Sequence, residues 1–213
     1  MCCGLEAMQE MARRYAGLEA KLRGEDESLA CLDELKAKYL DFHNRKRLYN
    51  SLSIPGEHRF GVIVNQAKVF PNIYGDQRSR QRFIDYALKR AIKESIRCAL
   101  AHEGVPLSAI DFVKVTVDEH TSKTNGRYTL EESIDEELRH GMFRLDFSGY
   151  AYPPLFPQMK NRIQTHYANS RNVGLVRASD IVANWLYNAV KDRNDRPDVL
   201  RSCEDSCNII WLP

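Results

Sequence analysis

The sequence predicts an α/β layered domain, and three observations carry that expectation. Helical stripes of 3.6-residue period alternate along the chain with short β-branched runs. The run Val113-Lys-Val-Thr-Val117 alternates apolar and polar positions and delivers Asp118 at its end. No internal repeat or low-complexity linker interrupts the 213 residues, so residues 1–213 are read as a single domain.

Each element follows from local chemistry. Residues 5–23 form an amphipathic stripe of Leu5, Met8, Ala12, Tyr15, Leu18 and Leu22, so the chain opens directly in a helix, broken by Gly24 and Glu25-Asp26-Glu27. A second helical pattern covers 27–52 with Leu32, Leu35, Tyr39 and Leu48, and Pro55-Gly56 ends it. Arg59–Asn65 reads as a short apolar strand. Asp76 caps a long helix bearing Phe83, Ile84, Ala87, Leu88, Ile92, Ile96 and Leu100, with Gly104 past its end. After the 112–117 strand, Thr129-Leu-Glu-Glu132 has capping-box spacing and Gly141 stops that helix. Residues 142–147 read as a strand and 151–172, with Pro153, Pro154 and Pro157, as loop. Ser179 is placed to cap a last helix with Ile181, Val182, Trp185, Leu186 and Val190 facing inward, and 191–213 is a tail.

Composition narrows the function classes. Charged residues make up 28% and the formal net charge is +2, so no global field recruits a polyanion and only local patches remain. No apolar run is long enough to span a bilayer, which excludes a membrane partner through helices. Met1-Cys-Cys-Gly4 lacks the basic and apolar regions of a signal peptide, so a cytoplasmic protein with reduced thiols is expected. Cys2 and Cys3 are adjacent, Cys31 and Cys98 isolated, and Cys203 and Cys207 lack a second ligand pair, a pattern that argues against zinc. No organic cofactor is expected.

The carboxylates are the chemical signal. Asp118 ends a strand and Asp180 is read at the start of an apolar helix. The carboxyl edge of an α/β sheet is where ligands bind, and acids gathered there attract hard divalent cations. Each has a plainer use: Asp118 as a turn former, Asp180 as an acid favouring a helix N-terminus, and Glu34 as a solvated helix residue. Arg45-Lys46-Arg47 and Arg78, Arg80 and Arg82 offer a path for nucleic acid phosphates, or simply solvated faces. Glu119 leaves the strand on the face opposite Asp118, and His120 and His140 are read as structural or exposed.

Three segments taken together carry a resemblance. They are Glu34-Leu-Lys-Ala-Lys-Tyr39 with Asn44-Arg-Lys-Arg47, Val117-Asp-Glu119 with Thr124–Ile134, and Asn169-Ser170 leading to Leu175-Val-Arg-Ala-Ser-Asp180-Ile-Val-Ala183. In order and spacing they resemble the bacterial and phage domain-of-unknown-function family numbered 3800, over a core of 34–190. The resemblance implies a ribonuclease-H-like mixed sheet flanked by helices, and a site in which Glu34, Asp118 and Asp180 hold Mg²⁺ or Mn²⁺ for phosphodiester cleavage. The family opens with a strand carrying Asp-Glu-Ser-Gly, whose aspartate is a fourth acid. This chain has no such motif and is read as N-terminally truncated relative to the family. The 113–117 strand would then lack its neighbour, and the exposed sheet edge is expected to be covered by homodimerisation, aggregation or rearrangement. Two functions stand: a metal-dependent nuclease-like protein, or a non-catalytic truncated domain that binds nucleic acid or a protein partner.

Overall fold

The computed structural model describes residues 1–119, 129–143, 149–158, 163–194 and 197–212. Strand β1 (Cys2–Cys3) precedes the first helix, which corrects the expectation that the chain opens in that helix. Helix α1 (Leu5–Glu25) buries Met11, Tyr15, Glu19 and Leu22, a stripe of three- and four-residue steps. That face is rotated from the expected one: Leu5 and Met8 are exposed.

The expected continuous helix over 27–52 is absent, and the reason is local. Asp26 caps only the single turn of α2 (Glu27–Ala30), its carboxylate accepting from the Ser28 N–H at 2.8 Å. A non-helical stretch and a 3₁₀ turn at Ala37–Tyr39 follow. Asp41 then restarts the chain as α3 (Phe42–Ser51), accepting from the Asn44 N–H at 2.7 Å. Leu35 and Ala37 are buried without a helix to carry them, whereas Tyr39 is exposed.

Strand β2 (Glu57–Val64) and a short helix α4 (Pro71–Gly75) lead to the longest element, α5 (Gln77–Glu103). Its ends are as expected: Asp76 accepts from the Ser79 N–H at 2.9 Å, and Gly104 closes the helix at φ 65°, where a side chain would be strained. Strand β3 (Val113–Asp118) keeps Val113, Val115 and Val117 half-buried and Lys114 and Thr116 exposed. Helix α6 (Leu130–Arg139) carries the full capping box between Thr129 and Glu132. Strands β4 (Met142–Phe143), β5 (Tyr150–Tyr152) and β6 (Ile163–Ala168) follow. The strand expected over 142–147 is described only at β4, since 144–148 lie outside the described residues. β5 and β6 replace the expected loop at 151–172. Helix α7 (Gly174–Lys191) begins before Ser179, so that residue caps nothing; its hydroxyl donates to the Leu175 carbonyl at 3.1 Å. The tail forms α8 (Pro197–Ser206) and β7 (Cys207–Leu212).

The architecture is mixed α/β, with most residues helical and three small sheets among the described residues, ordered β1-β2-β7, β3-β6 and β4-β5. Among the described residues β3 has one strand partner, β6. Short strands offer few ladder bonds, and the long helices supply most of the buried apolar surface.

Two compact units share the chain: Met1–Gly61 with Ala168–Ile209, and Val62–Tyr167 with Ile210–Pro213. In the first, α1, α3 and α7 pack on one another around Tyr15, Leu48, Leu52, Ala178, Ile181 and Trp185. Burying each large apolar side chain contributes roughly 1.5–3 kcal/mol, so the α7 stripe is a main anchor of that unit. Trp185 stacks on Tyr49 at 5.3 Å, and the Arg59 guanidinium covers the same tyrosine at 4.3 Å. In the second, α5 packs on α6, burying Ala87, Ala91, Ile92 and Ile96 on one helix and Ile134 and Leu138 on the other.

Candidate functional site

The first unit holds two of the three sequence-predicted acids, Glu34 and Asp180. Asp180 stands in the second turn of α7, not at its start, which corrects the helix-opening position expected for it. Its Oδ2 accepts a hydrogen bond from the Ala37 N–H at 2.9 Å. The bond exists because burial of Leu35 and Ala37 pulls the 35–39 segment against α7, where a backbone donor meets the carboxylate. Glu34 lies three residues upstream of that anchor, half-buried in the non-helical stretch. Its expected place on a helix is thus also corrected. Lys36 Nζ sits 3.3 Å from Glu34 Oε2 and balances its charge locally.

Asp118 ends β3 in the second unit, half-buried, with Glu119 exposed beside it. His120 lies outside the described residues, and His140 is exposed at the end of α6.

The basic residues divide between the units in the same way. Arg45 is braced at both ends: Nε donates to the Asp41 carbonyl at 3.2 Å and Nη1 to Asn184 Oδ1 at 2.8 Å. Asn184 is one helical turn beyond Asp180, so Arg45 stands on the α7 face that carries the acid. Arg47 is committed to Glu25 at 3.0 Å and to Asn44 at 3.1 Å, while Lys46 is exposed. Arg78, Arg80 and Arg82 are exposed on the first turns of α5, with Arg80 Nη2 donating to the Tyr74 carbonyl at 3.2 Å.

Behind Asp180 the first unit holds a second polar assembly, which sequence reasoning missed. Buried Glu19 accepts from Arg177 Nη2 at 2.7 Å and from Arg23 at 3.4 Å. Arg177 Nη1 also donates to the carbonyls of Ser170 and Arg171 at 2.7 and 2.8 Å. Tyr15 is wholly buried beside them, and burial holds its phenol well above the ordinary range, with the Glu19 charge adding to the effect. A glutamate four residues after a tyrosine on an apolar stripe was the available signal. The six cysteines are free thiols. Burial pushes Cys203 up to about 11 and Cys207 up to about 12, so both are core thiols rather than nucleophiles.

No helix among the described residues is long and apolar enough to cross a membrane. Comparison of the chain with family models, curated proteins and solved structures finds no match.

Proposed function

We propose that the chain is a metal-dependent, nuclease-like protein acting on a nucleic acid phosphodiester, with Glu34, Asp118 and Asp180 as its acids and a ribonuclease-H-like form of the α/β fold. The observation that supports this reading is the Asp180–Ala37 bond, which ties the Glu34-bearing segment to the α7 carboxylate. The donor set is chemically apt: carboxylate oxygens are the ligands hard divalent cations take. Asp180 keeps Oδ1 available while Oδ2 is held by the backbone. Glu34 would supply a second oxygen after release from Lys36, and the resemblance names Asp118 as a third acid. Mg²⁺ or Mn²⁺ bound there would activate water and stabilise the leaving oxygen. Arg45, Lys46, Arg47, Arg78, Arg80 and Arg82 would attract the phosphate backbone, with Arg45 positioned by Asn184.

A second reading, a non-catalytic module that binds nucleic acid or a protein partner, is favoured by the same bond: Asp180 with a backbone partner and Glu34 with Lys36 have structural employment without a metal. Thermal melts with Mg²⁺ or Mn²⁺ separate the two. At ten times Kd the metal should stabilise by about 1.4 kcal/mol, raising Tm by about 3–5 °C. Asp118→Asn and Asp180→Asn should each remove the rise and any cleavage of labelled oligonucleotide. Metal-independent oligonucleotide binding with no melting shift would favour the non-catalytic module.

A further inference from the structure

Helix α5 carries three cations, Lys89, Arg90 and Lys93, within a span of five residues and on or beside its buried face. All three converge on one carboxylate, that of Glu137 on α6, which is 1% exposed. Glu137 Oε1 accepts from Arg90 Nη1 and from Lys93 Nζ, the latter at 2.9 Å. Lys89 Nζ stands 3.9 Å from Oε2, within ion-pair reach but beyond hydrogen-bond distance. One negative charge thus faces three positive ones, whose side chains are only 14%, 8% and 10% exposed in chain order.

Among the described residues, nearby groups do not restore the balance. Asp85, the buried acid one turn earlier on α5, has its carboxylate on Gln81 at 3.0 Å, and burial raises its affinity for a proton. Glu94 is taken by Arg97. Arg90 lies over the Tyr152 ring, with Tyr86 further off, and this soft contact offsets part of its desolvation. Yet among the described residues Arg90 Nη2 is buried with no hydrogen-bond partner. A guanidinium that is nine-tenths buried with one amine unsatisfied costs stability unless an acceptor reaches it. The two lysines bring further donors to the same place, and their side chains keep slight access to solvent.

We propose that Lys89, Arg90 and Lys93 form a binding site for a phosphate-type oxyanion, seated against Glu137 and supplying the charge the cluster lacks. A tetrahedral dianion brings several acceptor oxygens and two negative charges, matching the excess of two cations over Glu137. Arg90 offers its fixed planar edge and the lysines act as point charges. Glu137 serves as the positioning group that splays the three cations from one side. The oxyanion comes either from a small phosphorylated molecule or from a nucleic acid backbone.

The test is melting of the full chain in sodium phosphate and in sodium chloride at equal pH and ionic strength. Phosphate should give a saturable rise in Tm of about 3–5 °C at ten times its Kd, over and above chloride. Lys89→Gln, the change that leaves both hydrogen bonds to Glu137 in place, should abolish that rise while keeping the fold. Lys93→Gln should do the same. An oligonucleotide arm identifies the source. Binding weakened by Lys89→Gln assigns the site to backbone phosphate; binding indifferent to it, with the phosphate rise present, assigns it to a small phosphorylated ligand. Equal melting in the two salts, or an undiminished phosphate rise in Lys89→Gln, overturns the proposal. Neither result touches the metal reading, whose variants lie at Glu34, Asp118 and Asp180.

Discussion

Replacing Glu137 by glutamine keeps the shape of the side chain and removes its charge, so it isolates the electrostatics of the α5–α6 contact. Glu137 is 1% exposed and is the acceptor for Arg90 and for Lys93 at 2.9 Å. A neutral amide oxygen is a weaker acceptor for cations than a carboxylate, and its NH₂ group turns donors toward them. Breaking a buried ion pair by removing one partner costs about 3–5 kcal/mol, because an uncompensated charge stays buried. At about 2–4 °C per kcal/mol for a chain of this length, Glu137→Gln should lower Tm by about 6–20 °C. Circular dichroism melts in dilute chloride buffer measure this directly. Adding Lys93→Gln to the first change should recover part of the loss, since the pair is coupled and the double variant buries one charge fewer. A Tm within about 2 °C of wild type would mean that the carboxylate does not hold the three cations, and the electrostatic account of this contact would fail.

Gly141→Ala should be among the most damaging single-methyl additions, because Gly141 has φ 68° and a Cβ there would meet the backbone oxygen of Tyr152 at 2.3 Å. A loss of about 2–4 kcal/mol by urea titration is expected, from left-handed strain plus backbone overlap. Gly61→Ala should cost less, about 1–3 kcal/mol on the same assay; its Cβ would meet Leu186 Cδ1 at 2.2 Å, and a side-chain terminus can shift. Thr129→Ala should cost about 1 kcal/mol by removing the cap of α6. Bonds from the Thr129 backbone and hydroxyl hold the Glu132 carboxyl below its ordinary 4.5. That carboxylate's contribution is therefore complete above pH 4.5 and lost as pH falls through the lower folded value, so the wild-type and Thr129→Ala helix signals should converge in acid. Charge reversal at Arg45 should weaken oligonucleotide binding and flatten its salt dependence, read by fluorescence anisotropy, whereas Arg47, already paired with Glu25, should matter less.

What could be read from the residues was what is decided locally. Asp76 with Ser79, and Thr129 with Glu132, cap their helices through bonds spanning three residues, and Gly104 and Gly141 end theirs through a backbone conformation any neighbour would leave unchanged. The segment 27–52 failed for the opposite reason. Its leucines have helical spacing, but Leu35 and Ala37 are buried by α7, far away in sequence, and Asp41 restarts the helix. Ser179 and Asp180 have the look of a helix start, yet eighteen residues of apolar periodicity place them inside α7. β6 was legible in part: Ile163, Thr165 and Tyr167 alternate with exposed Gln164 and His166, a period-2 signal obscured by the prolines before it. Of the acids, residue type and order could be read, but the Asp180–Ala37 bond, which ties Asp180 to the segment carrying Glu34, spans 143 residues and leaves no local mark.

The same limit explains why the most crowded electrostatic feature drew no attention as sequence. Lys89, Arg90 and Lys93 look like ordinary helix residues, since long basic side chains usually reach solvent from the flank of an apolar stripe. Glu137 likewise looks like one more acid in Glu131–Glu137. What changes their meaning is the packing of α5 on α6, where Ala91 and Ala87 are small enough to let the second helix approach and Ile134 and Leu138 seal the contact. Burial then turns three solvated cations into a charge imbalance that one carboxylate cannot neutralise. Evolution has cheaper ways to pack two helices, since apolar side chains of similar volume commonly match or exceed a buried ionic cluster in stability. Keeping three cations on one acid, with an arginine amine unsatisfied, therefore argues for a partner that brings negative charge, and the phosphate melts decide whether it does.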